Sequence, residues 1–366
     1  PKGRFDIAAG RRRFLAIGHN VETGVMPADV KLRCLVVDAA DALELSLIEN
    51  IEREAMNPAE EALAFAALVD DGMDIALTVP SDLVGLSNGR PVGETVNEDG
   101  TTTTRWRVGY PINGYLVTVN IGPYVPVEVP YHGVDGDRAE TLVFWSIPES
   151  VADAERMWRQ MPGLVETLGR RFGEYPFLDD KLWVAHSSYL GMEHQTLNAY
   201  GDDFTDNAYG FDALLLHEFA HEWWGNKVSV RDWADFWIHE GFGVWTEAAY
   251  VLDTQGEARY LEYMAEVRGR IRNTEPIIQG KDLTSAAAYT GDIYTKGAWV
   301  VHTLRWLLGP EVFDDAVWTF LNDDRFAYRT VTTADLERVV AEVSDRDDLG
   351  WFWDRYLRRA EPPRWS

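Results

Sequence analysis

The sequence predicts an α+β protein in which a β-rich stretch leads into a long, mostly helical region, with a small α/β segment in front. Three observations carry that reading. Residues 73–148 contain alternating Thr/Val/Tyr/Trp runs such as "TTTTRWRVGY", punctuated by Asn88-Gly89 and Asp99-Gly100, the dipeptides that favour two-residue hairpin turns. From about Glu149 the period becomes that of amphipathic helices, as in "VADAERMWRQMPGLVETLGRRFG". Ahead of both, "RFDIAAG" and "KLRCLVV" read as short strands, and "DALELSLIENIEREAMNPAEEALAFAALVDDG" as helix broken around Asn57-Pro58. The predicted divisions are 1–72, 73–148 and 149–366.

Length and composition narrow the function. With 366 residues the chain can bury a sizeable core and hold two or three domains. Thirty-four basic against 60 acidic side chains leave a net charge of −26. Neutralising a phosphate backbone takes a surplus of Lys and Arg, so no nucleic-acid partner is expected. The single cysteine, Cys34, offers no internal disulfide and no thiolate cluster for a metal. No uninterrupted apolar run is long enough to span a bilayer, and no basic-then-apolar leader opens the chain. A cytoplasmic location is slightly favoured on that basis, although the chain opens on Pro1 rather than Met.

The elements follow from local pattern. "GYLVTVNIG" alternates as a half-buried antiparallel strand should, and "KLWVAHSSYL" reads as a further strand. "FDALLLHEFAHEWW" has helical period, with Gly225 as its natural terminator, and "WADFWIHEGFGVWTEAAY" is a second helical stretch. Most of the fifteen tryptophans, Trp223 and Trp224 among them, read as core and helix-packing residues.

The chemistry gathers on "HEFAHEWWGN", His217–Asn226. Residues four apart lie one above the other on a helix, so His217 and His221 can converge on one ion. Glu218, about 100° round the helix, borders the same cleft as an adjacent base. A catalytic zinc takes three protein ligands and keeps a fourth position for water. Eighteen residues separate His221 from Glu240, the predicted third ligand, and Glu247 lies two turns further along the same face, where it would orient the ligands. His239 competes for the metal, but it points about 100° away from Glu240.

HExxH, eighteen residues, then Glu within "HEGFG" resembles the gluzincin aminopeptidases of the aminopeptidase N and leukotriene hydrolase type. "GMEHQT", Gly191–Thr196, is similar to that family's exopeptidase motif, and "IYTKGAWVVHTLR" from Ile293 to its catalytic-tyrosine segment. "SNGRPV" and "RWRVGYPINGYLVTVNIGPY" resemble the end of its β domain, so the likeness covers roughly residues 75–366. The resemblance implies a thermolysin-like zinc metallopeptidase catalytic domain over 149–366, preceded by a partial antiparallel β domain over 73–148. It implies one zinc per chain on His217, His221 and Glu240, with Glu218 as general base and Tyr294 as donor to the oxyanion. Glu193, with Gly191 and Met192 beside it, would hold the substrate's α-ammonium. The implied function is an aminopeptidase acting on peptides with a free amino terminus. His186 and His194 are expected to be structural or cleft-lining, and Lys296 a local ion-pair partner. Two departures stand out: the family usually has Asn where His194 stands, and the earlier part of its β domain, which supplies a second residue for the amine, has no counterpart here.

A second resemblance covers 1–72. "GRFDIAAGRRRFLA", "LSLIENIERE" and "MNPAEEALAFAAL" are similar to the amino-terminal nucleotide-binding domain of ParB-type partition proteins. It implies a triphosphate contact by Gly10, Arg12 and Arg13, and magnesium held near Glu49 and Asn50. The segment carries 8 basic and 13 acidic residues and lacks DNA-reading helices, so CTP and Mg2+ are not expected to bind. A CTP-binding partition or regulatory module carrying a peptidase fragment, and a truncated peptidase scaffold with impaired catalysis, are the alternative readings.

Overall fold

The computed structural model describes residues 73–361, together with the backbone of a short strand at Leu68–Val69. The ParB-like segment, and with it Gly10, Arg12, Arg13, Cys34, Glu49 and Asn50, lies outside the described residues. Leu68–Val69 (β1), predicted as the end of a helix, is instead extended and pairs with Ile112–Asn113 (β6).

Between them lie Met73–Pro80 (β2), Val84–Ser87 (β3), Arg90–Val96 (β4) and Thr101–Val108 (β5). Strands β2, β5 and β4 form an antiparallel sheet in that order. In β5 the alternation does what period two requires: Trp106 and Val108 are buried while Arg105 is exposed. Asp99-Gly100 closes the β4–β5 hairpin, within a loop spanning residues 97–100.

Asn88-Gly89 behaves differently from its local signal. β3 pairs with Val119–Gly122 (β7), not with β4, so the dipeptide is a corner between two sheets rather than a hairpin turn. Asn88 is fully buried; its amide donates to Leu116 O at 3.0 Å and Gln195 O at 2.6 Å, and its Oδ1 accepts from Thr118 N at 2.7 Å. These long-range bonds outweigh the hairpin preference of the dipeptide. "GYLVTVNIG" is likewise not one strand, since Gly114–Leu116 forms a 3₁₀ turn before β7 begins.

The second layer is a five-stranded mixed sheet. It contains Val125–Tyr131 (β8), Glu140–Ser146 (β9), Trp183–His186 (β10), Gly191–Met192 (β11) and Leu197–Tyr200 (β12), ordered β11-β12-β10-β9-β8. β10 runs parallel to both β9 and β12, and its Val184 and Ala185 are buried. That is the composition expected of a strand covered on both faces. β11 is an edge strand, antiparallel to β12. Val151–Trp158 (α1) packs on β8 and β9, and Met161–Phe172 (α2) on β8.

The rest is helical, apart from Val228–Val230 (β13) pairing in parallel with Arg329–Val331 (β14). The helices are Ala213–Ala220 (α3), Trp237–Gln255 (α4), Glu257–Gly269 (α5), Ser285–Ala288 (α6), Gly291–Leu308 (α7), Pro310–Asn322 (α8), Thr333–Ser344 (α9) and Gly350–Leu357 (α10). A mixed sheet followed by a helical body is therefore the arrangement of the described residues. The core fills with Trp158, Trp223, Trp224, Trp237 and Trp245, all at most 1 % exposed. Trp306, Trp318 and Trp351 depart from the packing reading and are exposed.

α4 and α7 touch backbone to backbone. A Cβ built at Gly241 would come 2.9 Å from Gly297 Cα, a spacing only glycines allow. That crossing brings Glu240, in the first turn of α4, beside Tyr294 in the first turn of α7. None of the described helices is long and apolar enough to cross a membrane.

Candidate metal centre and active site

α3 starts where Asp212 caps it. The carboxylate accepts from Leu215 N at 3.0 Å and from Tyr200 OH at 2.6 Å, tying the helix start to β12. The helix ends at His221, earlier than its period and Gly225 predict. His221 O accepts from Asn226 N at 2.9 Å, and the turn that follows presents Trp224 O to His221 Nδ1 at 2.9 Å. The early end therefore supplies a partner for an imidazole.

His217, His221 and Glu240 come together. Their ligating atoms are 3.2 Å apart between the two Nε2 atoms, 3.3 Å from His217 Nε2 to Glu240 Oε2 and 3.5 Å from His221 Nε2 to the same oxygen. Donors at about 2.0–2.1 Å from a tetrahedral ion lie about 3.3–3.4 Å from one another, so the triangle has the size zinc requires. Protonation fits as well. His217 Nδ1 faces Glu247 Oε1 at 2.8 Å, and His221 Nδ1 faces the Trp224 carbonyl, so each ring places its proton on Nδ1 and a lone pair on Nε2. In the neutral form of both rings three acceptors converge, an arrangement that a cation satisfies. Burial works against charge on all three groups. Even so, the two imidazoles hold the Glu240 carboxyl well below its usual range, and Glu240 in turn raises both imidazoles.

Glu247 is held from behind by Tyr263, whose hydroxyl donates to Oε2. His239, the competing residue, turns away from the cluster: its Nε2 accepts from Val230 N at 2.9 Å and its Nδ1 lies 3.3 Å from Tyr115 OH.

Glu218 and Glu193 also approach His221, and their carboxylate oxygens and that imidazole form a second close group, within 4.8 Å of one another. Both acids are buried, and burial pushes both carboxyls up. Glu193 follows the edge strand β11, which also carries Gly191 and Met192. Tyr294 stacks on His217, with ring centroids 6.1 Å apart and planes 24° apart. Burial raises its hydroxyl pKa, and Glu240 raises it further.

Four contributors escape a reading of local pattern. Glu222 is fully buried directly after His221 and is bonded by Thr196 N at 2.9 Å, Asn198 Nδ2 at 3.0 Å and Asn226 Nδ2 at 3.0 Å. Burial pushes its carboxyl up to about 7. Asn226 Nδ2 also donates to Glu193 O at 2.9 Å, so this acid and amide brace the segment that carries Glu193. Tyr263 and Tyr115 are the other two. Glu222 and Asn226 lie inside the quoted decapeptide and could have been marked as buried-polar candidates; no sequence signal marks the tyrosines. Lys296, expected to form an ion pair, instead donates to Arg359 O and Ala360 O, each at 3.0 Å. The segment just past α10 offers these carbonyls, which satisfy a buried ammonium without a carboxylate.

Comparison with known proteins gives one consistent picture. The Peptidase family M1 domain matches residues 174–356, half of the chain. Aminopeptidase N of Streptomyces lividans is 28% identical over 262 residues, which are 66% of this chain and 30% of that protein. Aminopeptidase M1-C of Oryza sativa is 26% identical over 317 residues, 77% of this chain and 34% of the relative. The chain thus spans about a third of the length of these curated relatives. The crystal structure of an M1 zinc metallopeptidase from Deinococcus radiodurans superposes with a TM-score of 0.65 at 22% identity, covering 80% of this chain and 64% of that one.

Proposed function

Because the chain belongs to peptidase family M1, we propose that it is a zinc-dependent aminopeptidase that removes amino-terminal residues from peptides. The carrying observation is the triangle of His217 Nε2, His221 Nε2 and Glu240 Oε2, with edges of 3.2–3.5 Å, formed by two imidazoles and one carboxylate. One zinc per chain would be held there, and when bound it lowers the pKa of a coordinated water and polarises a carbonyl.

The other roles fall to the chain's own side chains. Glu218, adjoining the cluster on the side of Glu193, takes the proton of the attacking water and delivers it to the leaving amine. Burial favours this, since a carboxyl held above its usual range can carry a proton near neutral pH. Tyr294 donates its hydroxyl proton to the developing oxyanion, and the stacking on His217 keeps it in place. Glu193, buried just after Gly191 and Met192 of β11, meets the substrate's free α-ammonium and limits cleavage to the first peptide bond. Glu247 orients His217. The same reading keeps the β region as a partial amino-terminal domain, but its boundary moves from residue 148 to just ahead of Val125, because β8 and β9 pair within the sheet of β10–β12.

Zinc analysis combined with a panel of amino-acid arylamides, free and amino-blocked, tests the proposal. Stoichiometric zinc and turnover of free substrates only are expected, with Glu218→Gln retaining zinc and losing about 10²–10⁴ in kcat. Absence of bound zinc, or unchanged turnover in Glu218→Gln, would overturn it.

A further inference from the structure

We propose that Tyr115 and His239 form a directional hydrogen-bond relay that positions the Glu193 carboxylate, so that recognition of the substrate amine depends on a tyrosine from the β region. The inference rests on the reading that Glu193 meets that amine.

Each link of the relay has one assignment. Val230 N can only donate, and it lies 2.9 Å from His239 Nε2, so that nitrogen carries a lone pair. The proton of the neutral ring is then on Nδ1, which lies 3.3 Å from Tyr115 Oη and donates to it. The tyrosine hydroxyl donates its own proton to Glu193 Oε1, 3.2 Å away. The chain runs Val230 N–H to His239, His239 Nδ1–H to Tyr115, and Tyr115 O–H to Glu193. All its dipoles point their positive ends towards the carboxylate.

The surroundings hold the relay still. Tyr115 is 8 % exposed and His239 fully buried. The Tyr115 ring packs on Trp233 and Phe236 with centroids 5.7 and 6.3 Å away, and the His239 ring on Phe236 at 4.7 Å. Backbone N–H of Tyr115 is anchored on Asn113 Oδ1 at 3.4 Å within the 3₁₀ turn Gly114–Leu116. A carboxylate otherwise turns with little resistance about its last torsion, because that well is broad and two-fold. A rigid donor on one oxygen fixes its plane. His239 is the neighbour of Glu240 in α4, so the relay also fastens the amine-binding acid to the helix that carries a metal ligand.

The test compares KM and kcat for an unblocked amino-acid arylamide in zinc-loaded wild type, Tyr115→Phe, His239→Phe, Glu193→Gln and the Tyr115→Phe/Glu193→Gln double variant. Zinc content and Tm are measured for each. A donor to a buried charge is worth about tenfold or more, so Tyr115→Phe should raise KM about tenfold with a much smaller change in kcat and full zinc content. His239→Phe should reproduce the effect. In the Glu193→Gln background Tyr115→Phe should add less than about twofold, because both changes act through one interaction. A purely structural Tyr115 would lower the active fraction and leave KM alone. KM within about twofold of wild type in both relay variants, while Glu193→Gln raises it, overturns the relay and leaves the Glu193 reading intact. An additive double variant overturns it too. Unchanged KM in Glu193→Gln overturns both. Should Tyr115→Phe fail to fold, His239→Phe decides by the same KM criterion.

Discussion

A Cβ at Gly191 would overlap Oε1 of Glu218 and come 2.8 Å from its Cδ. The edge strand β11 thus lies directly against the proposed base, and only a glycine leaves the carboxylate its place. Leu214 Cδ1, 2.9 Å from the same point, closes the alternative way out. Gly191→Ala should therefore displace Glu218 without touching the metal ligands. A displacement of about 1 Å at a reacting group costs about 10²-fold. We expect kcat to fall by about that factor with zinc content unchanged, measured by metal analysis and arylamide turnover on the same sample. Wild-type kcat in the variant would show that β11 does not position the base.

Glu247 reaches His217 Nδ1 at 2.8 Å and is itself held by the Tyr263 hydroxyl. A carboxylate behind an imidazole fixes its tautomer and raises its basicity as a ligand. Glu247→Gln keeps the shape, removes the charge and should weaken zinc binding about 10–100-fold. Titration against a competing chelator reads this directly. Tyr263→Phe should shift affinity in the same direction by less, since it acts only through Glu247.

How much of this could be read in the sequence depends on how local the cause is. His217 and His221 are one helical turn apart, so their convergence follows from spacing alone. Glu240 needed a downstream helix and the rule that a catalytic zinc takes a third protein ligand, and the close Gly241–Gly297 crossing that brings α4 beside α7 leaves no periodic signature. Tyr115 meets Glu193 across 78 residues and His239 across 124, distances at which a single sequence carries no pairing information. At Asn88-Gly89 a strong local turn signal was overridden by three bonds from a buried side chain to distant backbone. Lys296 failed for a similar reason, because its partners are carbonyls, which no residue type announces.

Metal removal should be visible in stability as well as activity. Zinc binding replaces the protons that the Glu240-raised imidazoles otherwise hold in this triangle, so the ion and the folded site are coupled. Zinc bound to the folded state alone adds about 4 kcal/mol at a thousandfold excess over Kd. Calorimetry with and without chelator should show a lower Tm in the stripped protein, recovered by added zinc. His217→Ala should abolish the zinc-dependent part of the shift. A Tm indifferent to chelation would mean that the triangle holds no ion.

His302 makes acid sensitivity predictable away from the metal. Its Nδ1 is hydrogen-bonded to Tyr260 OH at 2.7 Å, and the Arg305 guanidinium lies over the Tyr260 ring, 5.2 Å from its centroid. Burial, with Arg305 adding to it and Glu257 opposing, lowers the imidazole to about 4. The unfolded chain takes up this proton below about 6.5, whereas the folded chain resists until about 4. The unfolded state therefore binds more protons in that window, and stability falls as pH drops through it. His302→Gln retains a hydrogen-bonding amide for Tyr260 and cannot titrate. Its Tm should decline less than that of wild type between about pH 6.5 and 4. Comparing the two slopes cancels the contributions of metal release and of the other histidines, so parallel slopes would mean that His302 is not held neutral by the fold.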